Sequence, residues 1–190
     1  SLATNLIGNH NVYNILAAIS VCLYLDIKIT KVIQSVTTFF GVSRRLDIHP
    51  NIKINKKTII TVDDYGHHPT EIKSTIETIK KIYPKKNITM VFQPHRYSRT
   101  KSSWSYLVKV LNSINNIILL PTYSAGEKKT IYDSKFLYKK LTIKNKIYVK
   151  TIQQVIEVLK LKIDTKSVLL LQGAGDIKNI INILHKNDTK

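Results

Sequence analysis

A chain of 190 residues is long enough for one domain of ordinary size, or for one domain and part of another. Its 43% apolar content and its lack of Gly/Ser-rich or Pro-rich tracts argue against disorder outside the polar residues 186–190. No apolar run approaches the roughly 18 residues that a membrane helix needs, and no signal peptide is evident. We therefore predict a cytoplasmic protein without a membrane partner.

The formal net charge of +18 is the strongest compositional bias. Such a charge often indicates nucleic-acid binding, but 26 of the 30 basic residues are lysines spread over nearly every segment. No aromatic stripe or helix-turn-helix pattern accompanies them, so we predict a solvated lysine surface and no nucleic-acid partner. A basic nucleic-acid-binding protein is the alternative. The four arginines are confined to residues 44–45 and 96–99, and a guanidinium can grip an anion with two hydrogen bonds.

The first part of the chain is predicted to be helical. Residues 6–26 are rich in apolar side chains, and a second helix is expected from about Thr30, with Ile33, Val36 and Phe40 on one face. The periodicity breaks at residues 47–51, so we place a domain boundary between residues 46 and 51.

From residue 58 onward, short β-branched runs alternate with segments of helical spacing. The predicted strands are 58–62, 88–92, 117–120, 146–149 and 168–171, and the predicted helices span 72–79, 104–111, 152–159 and 177–184. This alternation predicts an α/β fold with a Rossmann-like, mainly parallel, three-layer sheet.

Unusual polar clusters follow four of the predicted strands. They occupy residues 63–68, 93–99, 123–127 and 172–175. Ligands of open parallel sheets bind beyond the carboxyl ends of the strands, so we expect these clusters to share one edge.

The densest cluster is Asp-Asp-Tyr-Gly-His-His at residues 63–68, followed by Pro69 as the expected first residue of a helix. Aspartates at a strand end can accept from ribose hydroxyls, and histidines can bind an anion or move a proton. Alternatively, these residues only cap the helix and close the loop.

The second cluster contains Arg96 and Arg99, whose spacing predicts that both guanidiniums face one carboxylate. A solvent-facing basic loop is the alternative.

Weaker signals lie elsewhere. Asn11 and Asn14 share a helical face and carry the donors and acceptors that an adenine edge requires, although Asn at a helix start is often a cap. Arg44 and Arg45 are expected to meet a phosphate or to form an exposed loop pair. The Gly-Ala-Gly at residues 173–175 matches half of a dinucleotide-binding loop, and the cluster at residues 123–127 suggests no role.

Six strings occur in an order that resembles the Mur ligase family: GNHNVYNILAAI, FGVSRRLD, VDDYGHHPTE, FQPHRYSRT, YSAGE and QGAGDI. Within that family they are similar to ligases that join L-alanine to UDP-N-acetylmuramate, through an acyl phosphate made with ATP, for peptidoglycan. The resemblance implies that residues 1–47 are the helical end of a central ATPase domain. Residues 48–190 would then be the C-terminal Rossmann-like domain.

The resemblance also implies roles for individual residues. Asn11 and Asn14 would bind adenine, Asp64 the ribose and Arg45 the γ-phosphate, with Arg45 and His67 acting in catalysis. The L-alanine end would be bound by four side chains, namely Tyr65, His67, Arg96 and Arg99. The implied cofactors are ATP and Mg²⁺, the metal ligands being expected in an N-terminal portion of the ligase.

The phosphate-binding pattern Gly-x-x-x-x-Gly-Lys-Ser/Thr does not occur in the 190 residues. We therefore expect the chain to be a fragment that needs the N-terminal portion of the ligase as its partner and is inactive alone. A catalytically inactive remnant, or an interaction module with the same fold, is the alternative.

Overall fold

The computed structural model describes residues 2–188 of the chain. Two compact units are present, Ser1–Ser43 (unit 1) and Arg44–Lys190 (unit 2). The assignment of residues 1–47 and 48–190 to two ligase domains remains a prediction.

Unit 1 contains two helices, α1 (Asn9–Tyr24) and α2 (Ile29–Thr38). Both were predicted, but the expected apolar face of α2 is partly wrong. Val32 is the buried residue of this helix, whereas Ile33 is exposed and Phe40 lies beyond the last turn, because the helix ends at Thr38.

Many large apolar side chains of unit 1 are exposed, and α1 has no buried residue. An apolar groove of about 510 Å³ runs between the two helices. The exposed apolar residues of this unit include Val12, Tyr13, Leu16, Val21, Leu23, Tyr24, Leu25, Phe39, Phe40 and Val42.

Unit 2 alternates strands and helices. Its strands are β1 (Asp47–Ile54), β2 (Lys57–Asp64), β3 (Asn87–Phe92), β4 (Asn116–Leu119), β5 (Asn145–Tyr148) and β6 (Ser167–Gln172). Its helices are α3 (Pro69–Ile82), α4 (Tyr97–Ser102), α5 (Trp104–Leu111), α6 (Ser134–Lys140), α7 (Ile152–Lys162) and α8 (Asn179–Asp188), with a 3₁₀ turn at Asp176–Lys178 before α8.

The strands found in residues 2–188 form one sheet in the order β1-β2-β6-β3-β4-β5. All neighbours pair in parallel except β1, which is antiparallel to β2. The predicted mainly parallel α/β sheet is therefore confirmed.

Helices cover both faces of this sheet. Successive residues of a strand point to opposite sides, so each strand contributes to both of the resulting cores. In β6, Val168 and Leu170 pack with α3, α5 and α6, whereas Leu169 and Leu171 pack with α7 and α8. Both cores are apolar and buried, so the predicted three-layer arrangement is confirmed.

Strand β1 was not predicted, because residues 47–51 were interpreted as a break. A register shift interrupts its pairing between His49 and Ile52, and Pro50 occupies this irregularity. Proline is tolerated at an edge strand or a bulge because it cannot donate to the ladder. Helix α6 was also missed, since its seven residues are too few to display a helical period clearly.

The connection between β1 and β2 is a two-residue turn, Asn55 and Lys56, in which both residues have positive φ, 48° and 64°. Such a turn matches the twist of an antiparallel pair. Asn adopts this conformation readily, whereas a lysine there is strained.

Candidate active site

The carboxyl ends of the five parallel strands lie in register at one edge of the sheet. Asp64 pairs with Gln172, Gln172 with Phe92, Phe92 with Leu119, and Leu119 with Tyr148. The loops that follow therefore begin at the same level, as the sequence predicted.

Asp64, the last residue of β2, is buried and accepts hydrogen bonds from its own chain. Its Oδ1 accepts from the Gly66 amide at 2.8 Å and from Gln172 Nε2 at 2.6 Å, and its Oδ2 accepts from the Leu46 amide at 2.9 Å. Gln172 Nε2 also donates to the Gly66 carbonyl. Since a carboxylate oxygen has about two acceptor positions, these hydrogen bonds leave one position on Oδ2 unused.

Asp63 points to the opposite face of β2 and pairs with Arg44. Arg44 Nε lies 3.0 Å from Asp63 Oδ2, and Arg44 Nη2 donates to the Gly173 carbonyl at 2.6 Å. Burial raises the pKa of Asp63 above its ordinary value, although the Arg44 guanidinium opposes this shift. Arg44 therefore joins the start of unit 2 to the loop after β6.

Arg45 is exposed and lies close to the start of α3. Its Nη1 is 3.2 Å from Glu71 Oε1, and its guanidinium carbon is 5.2 Å from the centre of the Tyr65 ring. Glu71 Oε2 accepts from the His67 and His68 amides. Burial pushes the pKa of Glu71 upward, but the hydrogen bonds from His68, His67 and Arg45 hold it below its ordinary value.

Helix α3 begins at Pro69, as predicted, with His68 as its N-cap.

Four aromatic rings form a continuous row across this edge. The ring centres of Tyr65 and His67 are 5.5 Å apart, those of His67 and His95 5.4 Å, and those of His95 and Tyr123 5.4 Å. We call these four residues the ring row. It crosses the loops after β2, β3 and β4, so residues distant in sequence share one surface.

The pKa values of both histidines in the row are below their ordinary value. Burial is the main cause for His67, and the cations Arg99 and Arg45 add to it. For His95 burial is again the main cause, followed by His67, Arg99 and Arg96. Near neutral pH both imidazoles are therefore neutral.

The two predicted carboxylate-binding arginines lie beside His95. Arg96 is exposed, has a φ of 68°, and donates its amide to the Tyr123 carbonyl at 2.8 Å. Arg99 is half-buried in α4, and its Nη1 lies 3.2 Å from His95 Nδ1. Both guanidiniums lower the pKa of His95. The structure thus brings Tyr65, His67 and the two arginines together at one edge.

The loop at residues 123–127, to which the sequence assigned no role, supports this group. Tyr123 and His95 form a β-bridge, and Glu127 accepts from the Ser98 amide and hydroxyl at the start of α4. These hydrogen bonds lower the pKa of Glu127. The stretch from Tyr123 to Glu127 follows a predicted strand, and that position was its only sequence signal.

Gln93 and Gly175 connect the loops after β3 and β4 to the loop after β6. Gln93 Nε2 donates to Asp176 Oδ1, and Gln93 Oε1 accepts from the Ile177 amide at 3.1 Å. A Cβ on Gly175 would lie 2.5 Å from Gln93 Oε1 and 2.9 Å from Tyr123 Cγ. Gly175 therefore serves close packing against Tyr123.

In unit 1, Asn11 and Asn14 contact each other on one face of α1. Asn14 Nδ2 donates to Asn11 Oδ1 at 3.2 Å, and Asn11 Nδ2 donates to the Ile7 carbonyl at 2.9 Å. Neither is the N-cap, which is Gly8. The side chain of Asn14 is exposed, so its Oδ1 is accessible.

Residues 2–188 contain no group of three or more His, Cys, Asp or Glu side chains suited to a metal ion. In the same described part of the chain, every helix is too short or too polar to cross a membrane.

The family model for the Mur ligase glutamate ligase domain matches residues 44–175. The chain belongs to the Mur ligase family. The predicted resemblance is thereby confirmed. The match covers the ring row, Arg45, Asp64 and both candidate carboxylate-binding arginines.

The curated relatives of this Mur ligase chain include several bacterial proteins named UDP-N-acetylmuramate–L-alanine ligase. The protein from Wigglesworthia glossinidia brevipalpis is 40% identical over 191 residues, covering 95% of the chain and 40% of the relative. That from Hydrogenovibrio crunogenus is 39% identical, covering 93% and 39%. The chain thus spans about two fifths of the length of these relatives.

Solved structures agree with this Mur ligase fold. The UDP-N-acetylmuramate-alanine ligase of Thermotoga maritima superposes with a TM-score of 0.76 at 25% identity, covering 98% of the chain and 39% of that structure. A pseudomurein peptide ligase type C of Methanothermus fervidus has a TM-score of 0.71 at 22% identity, covering 95% and 36%, and shows the fold alone.

Proposed function

We propose that this chain is the C-terminal part of an ATP-dependent ligase that joins L-alanine to UDP-N-acetylmuramate in peptidoglycan synthesis. The observation that carries the proposal is the meeting of two arginines, two neutral histidines and Tyr65 at one edge of the sheet. The names of the curated relatives support the identity of the substrates.

The amino acid is assigned to the surface beside the ring row. Its carboxylate binds Arg96 and Arg99, because a guanidinium can give a carboxylate two parallel charge-assisted hydrogen bonds. The ammonium group must lose a proton before its nitrogen can attack an acyl phosphate. We assign His67 to accept this proton, because burial and, to a smaller extent, Arg99 and Arg45 lower its pKa, so the imidazole is neutral and able to act as a base.

The protonation of the His67 ring supports this role. His67 Nδ1 lies 3.2 Å from the Tyr65 carbonyl oxygen, which can only accept. The proton of the neutral ring is therefore on Nδ1, and Nε2 carries the lone pair. A proton taken from the amine would reside on Nε2.

ATP is assigned as the resemblance implies. In unit 1, Asn11 and Asn14 are proposed for the adenine edge, since the exposed amide of Asn14 keeps an accessible acceptor. In unit 2, Asp64 is proposed for the ribose through the remaining acceptor position of Oδ2. Arg45 is proposed for the γ-phosphate, because half of its side chain is exposed and Glu71 holds only one side of its guanidinium.

Mg²⁺ does not fit the described residues. Asp63 and Asp64 are the buried carboxylates at this edge, and one pairs with Arg44 while the other accepts three hydrogen bonds from the chain. Within residues 2–188 no group of three or more His, Cys, Asp or Glu side chains could hold a metal ion. We therefore assign none of these residues to the metal.

The test uses a hybrid ligase in which these 190 residues replace the matching segment of the Wigglesworthia relative. We expect formation of the alanyl product, measured by mass spectrometry, to require ATP, Mg²⁺, UDP-N-acetylmuramate and L-alanine. The 190-residue chain assayed alone is expected to give no product, because its sequence has no P-loop. A folded hybrid that makes no product, while the unaltered relative does, contradicts the proposed function.

A further inference from the structure

His95 occupies the centre of the ring row, and its partners determine where its proton lies. Its Nδ1 is 3.2 Å from Arg99 Nη1, and a guanidinium has only donors. Nδ1 must therefore be an unprotonated acceptor. In the neutral ring the proton is then on Nε2, to which no hydrogen bond is made within residues 2–188.

Burial is the main cause of the lowered pKa of His95, and neighbouring charged groups add to it. His67, Arg99 and Arg96 face the ring and, together with burial, lower its pKa, whereas Glu127 is the acidic neighbour that opposes them. A second proton on Nδ1 would also face the Arg99 guanidinium directly. His95 consequently offers a donor at Nε2 and is poorly suited to be a base.

Tyr123 holds the His95 ring in place. The two rings are stacked at 5.4 Å with an interplanar angle of 11°, and backbone hydrogen bonds run from Arg96 to Tyr123 and from Tyr123 to Pro94. Gly175 also lies close to Tyr123, since a Cβ added there would be 2.9 Å from Tyr123 Cγ and 3.0 Å from Tyr123 Cβ. Tyr123 is thus packed between its contacts to His95 and to the loop after β6, which limits its movement.

The neighbouring histidine has the opposite arrangement. The proton of His67 is on Nδ1, which faces the Tyr65 carbonyl, so its Nε2 is an acceptor. Two imidazoles whose centres are 5.4 Å apart thus present one free acceptor and one free donor. An amino acid can match both groups, because its amine N–H can donate to the acceptor and its carboxylate can accept from the donor.

We propose that His95 is a further substrate-binding residue, whose Nε2–H donates to a carboxylate oxygen of the amino acid beside Arg99, with Tyr123 as its positioning residue. This assignment rests on the proposed function for the identity of the ligand. The position of the proton rests on the geometry alone. Arg99 then has two roles, since it contacts the carboxylate and orients the donor next to it.

The first test concerns the proton and uses the 190-residue chain itself. Long-range ¹H–¹⁵N correlation spectra of the imidazoles near neutral pH should show His95 protonated on Nε2 and His67 protonated on Nδ1. Arg99→Met should convert His95 to a mixture of the two tautomers and raise its pKa. Lys101→Met, which removes a cation from the same helix, is the matched control and should change neither. A His95 ring protonated on Nδ1, or equal responses to the two variants, overturns the inference.

The second test concerns binding and uses the hybrid ligase. His95→Phe keeps a flat ring against Tyr123 but has no donor, and it should raise the KM for L-alanine about 10-fold, as expected for a lost hydrogen bond to a charged group. The KM for ATP should stay unchanged. His95→Gln, whose amide nitrogen can reach the position of Nε2, should recover most of the loss, and Tyr123→Leu should raise the same KM.

The two proposals fail in different ways. A hybrid that is active with L-alanine, but whose KM for L-alanine is unaffected by His95→Phe, overturns the role of His95 and leaves the proposed function standing. A hybrid that makes no alanyl product contradicts the proposed function. In that case the nitrogen spectra still decide whether His95 is held as an Nε2–H donor.

Discussion

Replacing Gly66 by alanine should disturb the buried hydrogen bonds that close the loop after β2. Gly66 is not among the residues with positive φ, so its backbone conformation is open to alanine. The obstacle is space, because the added Cβ would lie 2.6 Å from Asp64 Oδ1, 2.8 Å from Gln172 Nε2 and 3.0 Å from Glu71 Cβ. Asp64 Oδ1 and Gln172 Nε2 are hydrogen-bonded to each other and to the Gly66 backbone. They cannot move away from the new Cβ without losing those hydrogen bonds.

The expected magnitude follows from these contacts. A buried polar group left without its partner costs about 1–3 kcal/mol, and overpacking costs about 1–3 kcal/mol, so partial relaxation of both gives a loss of about 2–4 kcal/mol. Gly126→Ala is the matched control. Its Cβ would meet nothing within 4 Å, but the φ of 86° adds strain of about 1 kcal/mol.

Urea unfolding followed by tryptophan fluorescence measures the difference. Trp104 is the single tryptophan of the chain and lies in α5, so the signal reports unit 2. We expect the midpoint to fall much further for Gly66→Ala than for Gly126→Ala, with similar slopes. If Gly66→Ala loses no more than its control, the network around Asp64 does not stabilise the fold and our reasoning is refuted.

Three further predictions concern substrate binding, pH and the hairpin. In the hybrid ligase, Arg99→Lys keeps the charge but removes the two-pronged geometry, so kcat/KM for L-alanine should fall about 10- to 100-fold, equivalent to about 1.5–3 kcal/mol, while the KM for ATP changes much less. Because the pKa values of His67 and His95 lie below 6.5 in the folded state, the unfolded chain takes up protons first. The unfolding free energy should therefore fall as the pH drops below 6.5, and fall less in a variant with both histidines replaced by glutamine. Lys56→Gly should raise the unfolding free energy by about 1 kcal/mol, because glycine adopts positive φ without strain, whereas Lys166→Gly, in a loop without positive φ, should lower it.

Each of these has an outcome that contradicts it. If Arg99→Lys weakens ATP and spares L-alanine, the arginine belongs to a phosphate site. A pH profile that is equally steep with and without the two histidines means that other groups control it. If Lys56→Gly destabilises the protein, the turn does not have the strained geometry described here.

The strands of the parallel sheet were predictable because each is a short, fully apolar run bounded by polar clusters. Val168–Leu171 is such a run, and all four residues are buried in the structure. The same logic indicated which loops would meet, since parallel strands end at one edge. Strand β1 could not be recognised, because Pro50 and its polar neighbours hide an edge strand whose pairing is irregular.

The hydrogen bonds within the site could not be predicted from the sequence. Asp64 was singled out as a ligand-binding carboxylate, but nothing local reveals that Gln172, 108 residues later, fills one of its acceptor positions. The tautomers of His67 and His95 likewise depend on a carbonyl and a guanidinium that only the fold brings near. Residue type and position relative to a strand predicted the members of the site, whereas hydrogen bonding depended on the tertiary structure.

The position of β6 has a consequence for protein synthesis. Strand β6, the last strand within residues 2–188, pairs with both β2 and β3, so it separates the β1–β2 hairpin from the β3–β4–β5 group. A nascent chain that has not yet exposed residues 167–172 can form only these two partial sheets, whose central edges display unpaired amides and carbonyls. The ribosome must therefore release nearly the whole of unit 2 before its sheet can close, and until then both inner strand edges stay open to pairing with other chains.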